Sequence, residues 1–374
     1  MSERQVYIVF FSYGVGGSEK RLTEMWDYLQ DRGYHNIKLV VPRALYDALR
    51  KIKYLKHIDE TTGNIIVISG KHALSFVAPL CRLAMKAGPN AIFHYPHNAL
   101  PIIHSLFRQE LLMSYNSYNF FEDDTGGFRR KSHFWLSLLS AKKLDVLNPD
   151  NFDKFRGRTL SRKKAVLNPG SFVRLENYRA SKDKKNWIAF SGRFADRDPK
   201  QVMRLAKAIP QIHASLAKHG LERIKFFIFG EGPLEGELRT LVGGKDYDGI
   251  EMFIGFDNAP EKILQHAKVF LSIQKYSNYP SKALLEGVAC GALPVVTDVG
   301  ESREVANDSF ATFVPGEFTS EEITKAITDI MLLSEDDYWK KVEIGHAFLR
   351  KRFSFENHAR YYLGLYGVPT DAMA

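Results

Sequence analysis

Short runs of β-branched, aliphatic and aromatic residues alternate along this chain with stretches whose apolar positions recur at helical spacing. That alternation predicts βαβ units, and such units build parallel sheets. The first half offers strands at Val6–Phe11, Ile37–Val41, Ile65–Ile68, Asn90–His94 and Leu144–Leu147. Between the first two, Leu22, Met25, Trp26 and Leu29 stand at i, i+3, i+4 and i+7, one apolar stripe on a helix. The second half repeats the scheme at Trp187–Ser191, Lys225–Phe229, Ile250–Ile254, Val269–Ser272 and Leu293–Thr297. Between the two series runs Lys154–Lys185, rich in lysine and arginine and broken by the turn signal Asn168-Pro169-Gly170.

The predicted class is α/β, with two Rossmann-like, doubly wound parallel-sheet domains over 1–168 and 169–353. A C-terminal helix near 354–374 is a candidate to pack back on the first domain. No short-period repeat is present, which excludes solenoids and propellers. In doubly wound sheets ligands bind beyond the carboxyl ends of the strands, and two such domains are expected to enclose an interdomain cleft. Chemistry is therefore to be sought in the loop after each strand.

Composition narrows the class. At 374 residues, 45% hydrophobic and 25% charged, the chain is globular and too long for one ordinary core. No apolar run reaches the roughly 20 residues that cross a bilayer. Val6-Tyr7-Ile8-Val9-Phe10-Phe11 passes straight into glycines without a basic leader or a small-residue cleavage site, so a cytoplasmic protein is expected. Cys81 and Cys290 are far apart and outside any Cys/His cluster, which excludes a disulfide framework and a structural zinc site. Charge is uneven: residues 1–168 hold 25 Lys and Arg against 15 Asp and Glu, whereas 169–374 hold 27 against 28. The first half thus suits a lipid surface, a nucleic acid or an acidic substrate, or carries a solvated basic surface. No nucleic-acid-reading module accompanies the charge, so nucleic acid is not expected as a partner.

After the first strand, Ser12-Tyr13-Gly14-Val15-Gly16-Gly17-Ser18-Glu19 forms a glycine loop entering a helix, where free N–H groups can meet a phosphate. A dinucleotide site would need Gly-x-Gly-x-x-Gly and an acidic residue ending the second strand. The third glycine is missing, and the second strand ends Val40-Val41-Pro42-Arg43, so no nicotinamide or flavin cofactor is expected. In the second half, Phe190-Ser191-Gly192-Arg193 is followed by Lys200 at a helix start. Two cations beside a glycine loop could hold a diphosphate and stabilise its charge as it leaves; an ordinary exposed Arg and Lys would look the same in isolation. Phe229-Gly230-Glu231-Gly232-Pro233 and Phe253-Ile254-Gly255-Phe256 are two further strand-end glycine turns.

The segment Ser272 to Glu304 makes the combination specific. It contains Asn278-Tyr279-Pro280-Ser281-Lys282-Ala283-Leu284-Leu285-Glu286 and then Gly287-Val288-Ala289-Cys290-Gly291-Ala292-Leu293-Pro294. Taken with the preceding elements, it closely resembles the donor-binding core of the retaining glycosyltransferases of family four, which have the GT-B fold. In that family the glycine loop, the Gly-Arg and Lys pair, the Phe-Gly-x-Gly-Pro turn and a Glu-x(7)-Glu element occur in this order.

The resemblance implies a nucleotide-sugar donor and places Arg193 and Lys200 as the diphosphate clamp. It puts Glu286 on the nucleotide ribose, since a carboxylate can accept from two neighbouring hydroxyls. It also brings Gly230, Ile254, Ser281, Lys282 and Leu285 to the donor, with Gly16 and Gly17 approaching the phosphates from the first domain. His94 resembles the family's histidine beside the donor sugar; His97 is a substitute, and an interior histidine at a strand end is the alternative. The departure is Asn278, which stands where the family carries its first glutamate and lacks the charge that would stabilise an oxocarbenium-like transition state.

No metal is expected. Asp196-Arg197-Asp198 and Asp246-Tyr247-Asp248 fit a loose Asp-x-Asp pattern, yet both read as solvated turns, the first leading into a helix start at Asp198-Pro199. Phe128-Arg129-Arg130-Lys131-Ser132-His133-Phe134-Trp135-Leu136-Ser137-Leu138-Leu139 mixes cations with aromatics and could lie on an anionic membrane, or pack Phe134, Leu138 and Leu139 into the first core.

The implied function is a metal-independent retaining glycosyltransferase. It would act on a glycan or lipid-linked acceptor in cell-surface polysaccharide or glycoconjugate synthesis, from the cytoplasm or the inner face of the cell membrane. A nucleotide-sugar-binding partner subunit without activity and a nucleotide-sugar 2-epimerase are the alternatives.

Overall fold

The computed structural model describes residues 4–52, 54–69, 73–96, 104, 106–115, 135–136, 138–221, 223–243, 250–255, 257, 259–277 and 279–370. The chain divides into two units, Met1–Gly170 with Phe355–Ala374, and Ser171–Ser354. His97, Arg129, Arg130, Lys131, Asp246, Asp248 and Asn278 lie outside the described residues.

The first unit begins with β1 (Val6–Val9), α1 (Gly17–Gln30), β2 (Ile37–Pro42), α2 (Arg43–Leu49), β3 (Ile65–Ile68) and α3 (Val77–Ala87). It continues with β4 (Ile92–Tyr95), β5 (Glu110–Tyr115), β6 (Lys143–Val146), α4 (Pro149–Arg156) and β7 (Ala165–Leu167). The second comprises β8 (Lys185–Ser191), α5 (Val202–Lys218), β9 (Ile224–Phe229), α6 (Glu235–Gly243), β10 (Ile250–Gly255) and α7 (Glu261–Leu264). There follow β11 (Ala267–Ser272), α8 (Lys282–Ala289), β12 (Leu293–Asp298), β13 (Thr312–Pro315), α9 (Ser320–Met331) and α10 (Glu335–Arg352). The last helix, α11 (Phe355–Tyr366), belongs to the first unit.

Both sheets are wholly parallel, in the orders β3-β2-β1-β4-β5-β6-β7 and β10-β9-β8-β11-β12-β13. Each order reverses once, between β1 and β4 and between β8 and β11, and these reversals are where a doubly wound sheet opens a ligand crevice. The strands are apolar on both faces because helices cover both. In the first unit Phe93, Tyr95, Leu111, Met113, Leu144 and Val146 fill one layer. On α1, Leu22, Met25, Trp26 and Leu29 are fully buried, so the helical stripe is the packing face. In the second unit Val202, Leu205, Ile209, Ile212 and Leu216 of α5 cover one face of the sheet, and Leu284, Leu285 and Val288 of α8 pack in a separate cluster with Phe270 and Val296.

Candidate functional site

At the reversal in the second sheet, loops from adjacent strands are joined beyond the strand ends. The Gly192 amide donates to Phe229 O (3.0 Å), Phe194 N to Glu231 O (3.0 Å), and Gly230 N to Gly255 O (2.9 Å). Gly230 holds φ +155, and a Cβ there would lie 2.0 Å from the Gly192 carbonyl oxygen, so only glycine lets the two loops meet. Between β8 and α5, Arg197, Asp198 and Gln201 all have positive φ, a strained run that the rest of the unit must hold in place. Asp198 caps α5, accepting from the amides of Val202 (2.8 Å) and Met203 (3.0 Å).

This loop presents the two cations. Arg193 is exposed and pairs with no acidic side chain among the described residues. Lys200 is half-buried, and burial lowers its pKa to about 8. Its ammonium donates to Gln274 Oε1 at 2.9 Å. Gln274 lies just beyond β11 and is 5% exposed; its own backbone is tied to Thr297 of β12 in both directions, N–H to Oγ1 and Oγ1–H to carbonyl, each at 2.9 Å. The carboxyl end of the sheet thus carries two cations and, among the described residues, no carboxylate paired with them, an arrangement that favours a polyanion over a neutral ligand.

Other residues assigned from the sequence are placed as follows. Glu286 sits on α8, half-buried, and accepts a hydrogen bond from the Tyr178 hydroxyl at 2.8 Å. Ser281 is the N-cap of α8, its Oγ accepting from Leu284 N at 3.4 Å. The Lys282 ammonium lies 5.6 Å from the centre of the Phe172 ring. The Ile254 carbonyl accepts from the Arg239 guanidinium. The Leu285 side chain is wholly buried and packs α8 onto the sheet, and its amide donates to Ser281 O at 3.2 Å.

In the first unit His94 takes the interior position at a strand end that the sequence offers as its alternative. His94 is fully buried, with Nε2 2.7 Å from Ser114 Oγ and Nδ1 2.8 Å from the Tyr366 hydroxyl. Ser114 donates its one proton to Asp145, so it accepts from His94 Nε2–H, and Nδ1 accepts from Tyr366. Asp145 also accepts from Asn168 Nδ2 (2.8 Å) and from the hydroxyls of Tyr361 (2.6 Å) and Tyr362 (3.0 Å). Burial pushes the His94 pKa down to about 3. Both nitrogens are occupied and no edge of the ring reaches solvent; His94 is the interior histidine of a polar network that holds α11 to the sheet. Gly16 precedes α1, and its amide is already taken by Glu19 Oε2 at 3.1 Å, which leaves a carboxylate where a phosphate was expected. Around Gly17 an added Cβ would meet nothing within 4 Å.

No group of three or more His, Cys, Asp and Glu side chains converges to hold a metal among the described residues. No helix among them is long and apolar enough to cross a membrane. Sequence reasoning missed Gln274, Thr297 and Tyr178. The parallel register, which sets Ser272 beside Val296, was the signal for the first two; nothing in the sequence pointed to Tyr178.

Residues 185–332 match the family Glycosyl transferases group 1, so the second unit carries a domain of that family. The fold is that of the GT-B glycosyltransferases. HepE of Anabaena, solved with UDP and glucose, superposes with a TM-score of 0.72 at 12% identity over 97% of this chain and 99% of that one. A glycosyltransferase from Rickettsia africae gives 0.69 at 16% identity over 100% and 99%. In sequence, 93 residues are 30% identical to the N-acetylgalactosamine-N,N'-diacetylbacillosaminyl-diphospho-undecaprenol 4-alpha-N-acetylgalactosaminyltransferase of Campylobacter jejuni. That match covers 24% of this chain and spans about a quarter of the relative's length, 25%.

Proposed function

We propose that this protein is a metal-independent retaining glycosyltransferase whose second unit binds a nucleotide-sugar and whose first unit supplies the acceptor surface. The observation that carries the proposal is the pair Arg193 and Lys200, paired with no carboxylate among the described residues, at the reversal of a sheet matched by the group 1 family. In the reaction the bond from the anomeric carbon to the diphosphate oxygen breaks, and its electron pair leaves with the diphosphate. The acceptor hydroxyl forms the new bond from the same face, and its proton passes to the departing oxygen. The two cations stabilise the charge that grows on that diphosphate. UDP is the first nucleotide to test, because HepE was solved with it.

A lipid-linked saccharide is the proposed acceptor, after the undecaprenol-linked substrate in the name of the Campylobacter relative. An anionic membrane surface fits the first unit. Leu138 is buried in its core, but Trp135, Leu136, Leu139 and Leu160 are exposed, and the Arg158 guanidinium lies 5.8 Å from the Trp135 ring. Arg156, Arg162 and Lys163 are exposed in the same stretch. Basic side chains near such a surface contribute about 1 kcal/mol each.

The decisive experiment incubates purified protein with UDP-, GDP-, ADP- and dTDP-sugars and follows both binding and sugar transfer or donor hydrolysis. Turnover of one donor, reduced at least about tenfold in Arg193→Ala with the fold intact, supports the enzyme. Tight donor binding with neither transfer nor hydrolysis supports a non-catalytic partner subunit. Release of an epimerised sugar supports a 2-epimerase.

A further inference from the structure

We propose that Gln274 is a positioning residue for Lys200: its neutral side-chain carbonyl holds the ammonium at the sheet edge without cancelling its charge. The inference rests on Lys200 meeting the donor's diphosphate. Among the described residues, the one hydrogen-bond partner of Lys200 Nζ is Gln274 Oε1, at 2.9 Å. The contact is fixed at both ends. Lys275, next after Gln274, donates its amide to the carbonyl of Pro199, the residue before Lys200, at 2.9 Å. Behind it, Thr297 is fully buried and locks the Gln274 backbone through its two reciprocal hydrogen bonds. An ammonium has three donors, and one neutral acceptor leaves the others and the whole charge for a ligand.

The residue type follows from electrostatics. A glutamate at the same place would keep the length and the acceptor, but would pair with Lys200 and set a negative charge beside the incoming diphosphate. An apolar residue would leave a half-buried ammonium with no protein acceptor to aim it. Glutamine alone among acceptors of this length orients the cation and keeps it available.

The test is calorimetric titration of UDP and UMP into the intact protein, Lys200→Ala, Gln274→Met and Gln274→Glu, with thermal unfolding of each. The parent is expected to prefer UDP over UMP by about tenfold or more, because the second phosphate reaches Lys200. Gln274→Met should lose most of that preference, and the double variant with Lys200→Ala should lose little more, since the two residues act as one. Gln274→Glu should lose it too, although it preserves the contact; a merely structural Gln274 would instead be rescued by this acceptor. If either Gln274 variant keeps the parental preference while Lys200→Ala abolishes it, the inference is overturned and the clamp stands. If Lys200→Ala itself keeps the preference, or if UDP, GDP, ADP and dTDP all fail to bind the parent, the underlying assignment falls and the inference falls with it.

Discussion

The two sheets share one topology and treat the polar residues at their reversal points in opposite ways. In β4, His94 turns inward into a chain of paired groups: histidine to serine and tyrosine, serine to aspartate, aspartate to asparagine and two further tyrosines. At the end of β8 and beyond β11, among the described residues, Arg193 has no acidic partner and Lys200 has only a neutral one. The first arrangement is a buried network whose members satisfy one another and bind α11, from the far end of the chain, to the sheet. The second leaves charge unmatched, which stabilises nothing in the unit itself and is useful only when an anion arrives.

The largest effect expected from this contrast is in the matched network. Asp145→Ala removes the acceptor of four hydrogen bonds in a fully buried place and should destabilise the first unit by about 3–5 kcal/mol, read by denaturant unfolding. A loss below about 1 kcal/mol would mean that water replaces the lost acceptor, and the contrast would fail.

Next comes pH. Since burial holds His94 neutral, with its pKa lowered from 6.5 to about 3, the native state binds fewer protons than the unfolded chain between those values. The stability it contributes is complete above about pH 6.5 and is lost as pH falls toward 3, a few kcal/mol in all. Asp145 works against the downward shift and Arg21 adds to it. His94→Gln should flatten this slope in thermal unfolding and keep measurable sugar transfer at neutral pH. If the slope persists in the variant and transfer disappears, the histidine belongs to the chemistry after all.

How much of this was legible beforehand divides along the same line. The ten strands predicted from β-branched and aromatic runs are present, because such runs are how a strand covered on both faces is written. Three strands were not seen. β5 reads Glu-Leu-Leu-Met-Ser-Tyr, of which only the final tyrosine favours a strand in isolation, and it becomes a strand through pairing with β4 and β6. β7 is three residues long, too short to carry a period, and β13 ends in proline at the edge of its sheet. In the site, Arg193 and Lys200 stand out in the sequence through the glycine loop after the strand and the family resemblance, and neither has an acidic partner among the described residues. For His94 the sequence leaves two readings, beside the donor sugar or interior at a strand end, because one of its partners is distant, 272 residues along in the case of Tyr366. Periodicity does not report a partner that arrives from the other end of the chain.

A smaller effect separates ligand contact from packing on α8. Glu286 gives one acceptor to Tyr178, and glutamine can keep that hydrogen bond through its own carbonyl. Glu286→Gln should therefore leave unfolding unchanged, while UDP and UDP-sugar binding both weaken by roughly 1.5–3 kcal/mol, as for the loss of a charged acceptor. Equal weakening of the two ligands by calorimetry places the residue on the nucleotide; weakening of the sugar nucleotide alone moves it to the sugar. Unchanged affinity for both would return Glu286 to the satisfied class, a partner of Tyr178 and nothing more.

The smallest expected effect is none at all, and it tests the deficit most directly. If Arg193 and Lys200 carry the charge of the leaving diphosphate, a divalent ion has no task left there, and transfer in excess chelator should equal transfer without it. The nearby carboxylates bear on the same point. Asp198 is engaged with the amides of Val202 and Met203 at the start of α5, so recruiting it to a metal would uncap that helix at a cost of about 1 kcal/mol. Asp196 is exposed and would be left as a lone carboxylate ligand from this loop. Activity that vanishes with chelator and returns with magnesium or manganese would show that the two cations are insufficient. Asp198→Asn would then decide the matter: a structural cap tolerates asparagine with little change, whereas a metal ligand loses its charge and most of the turnover with it.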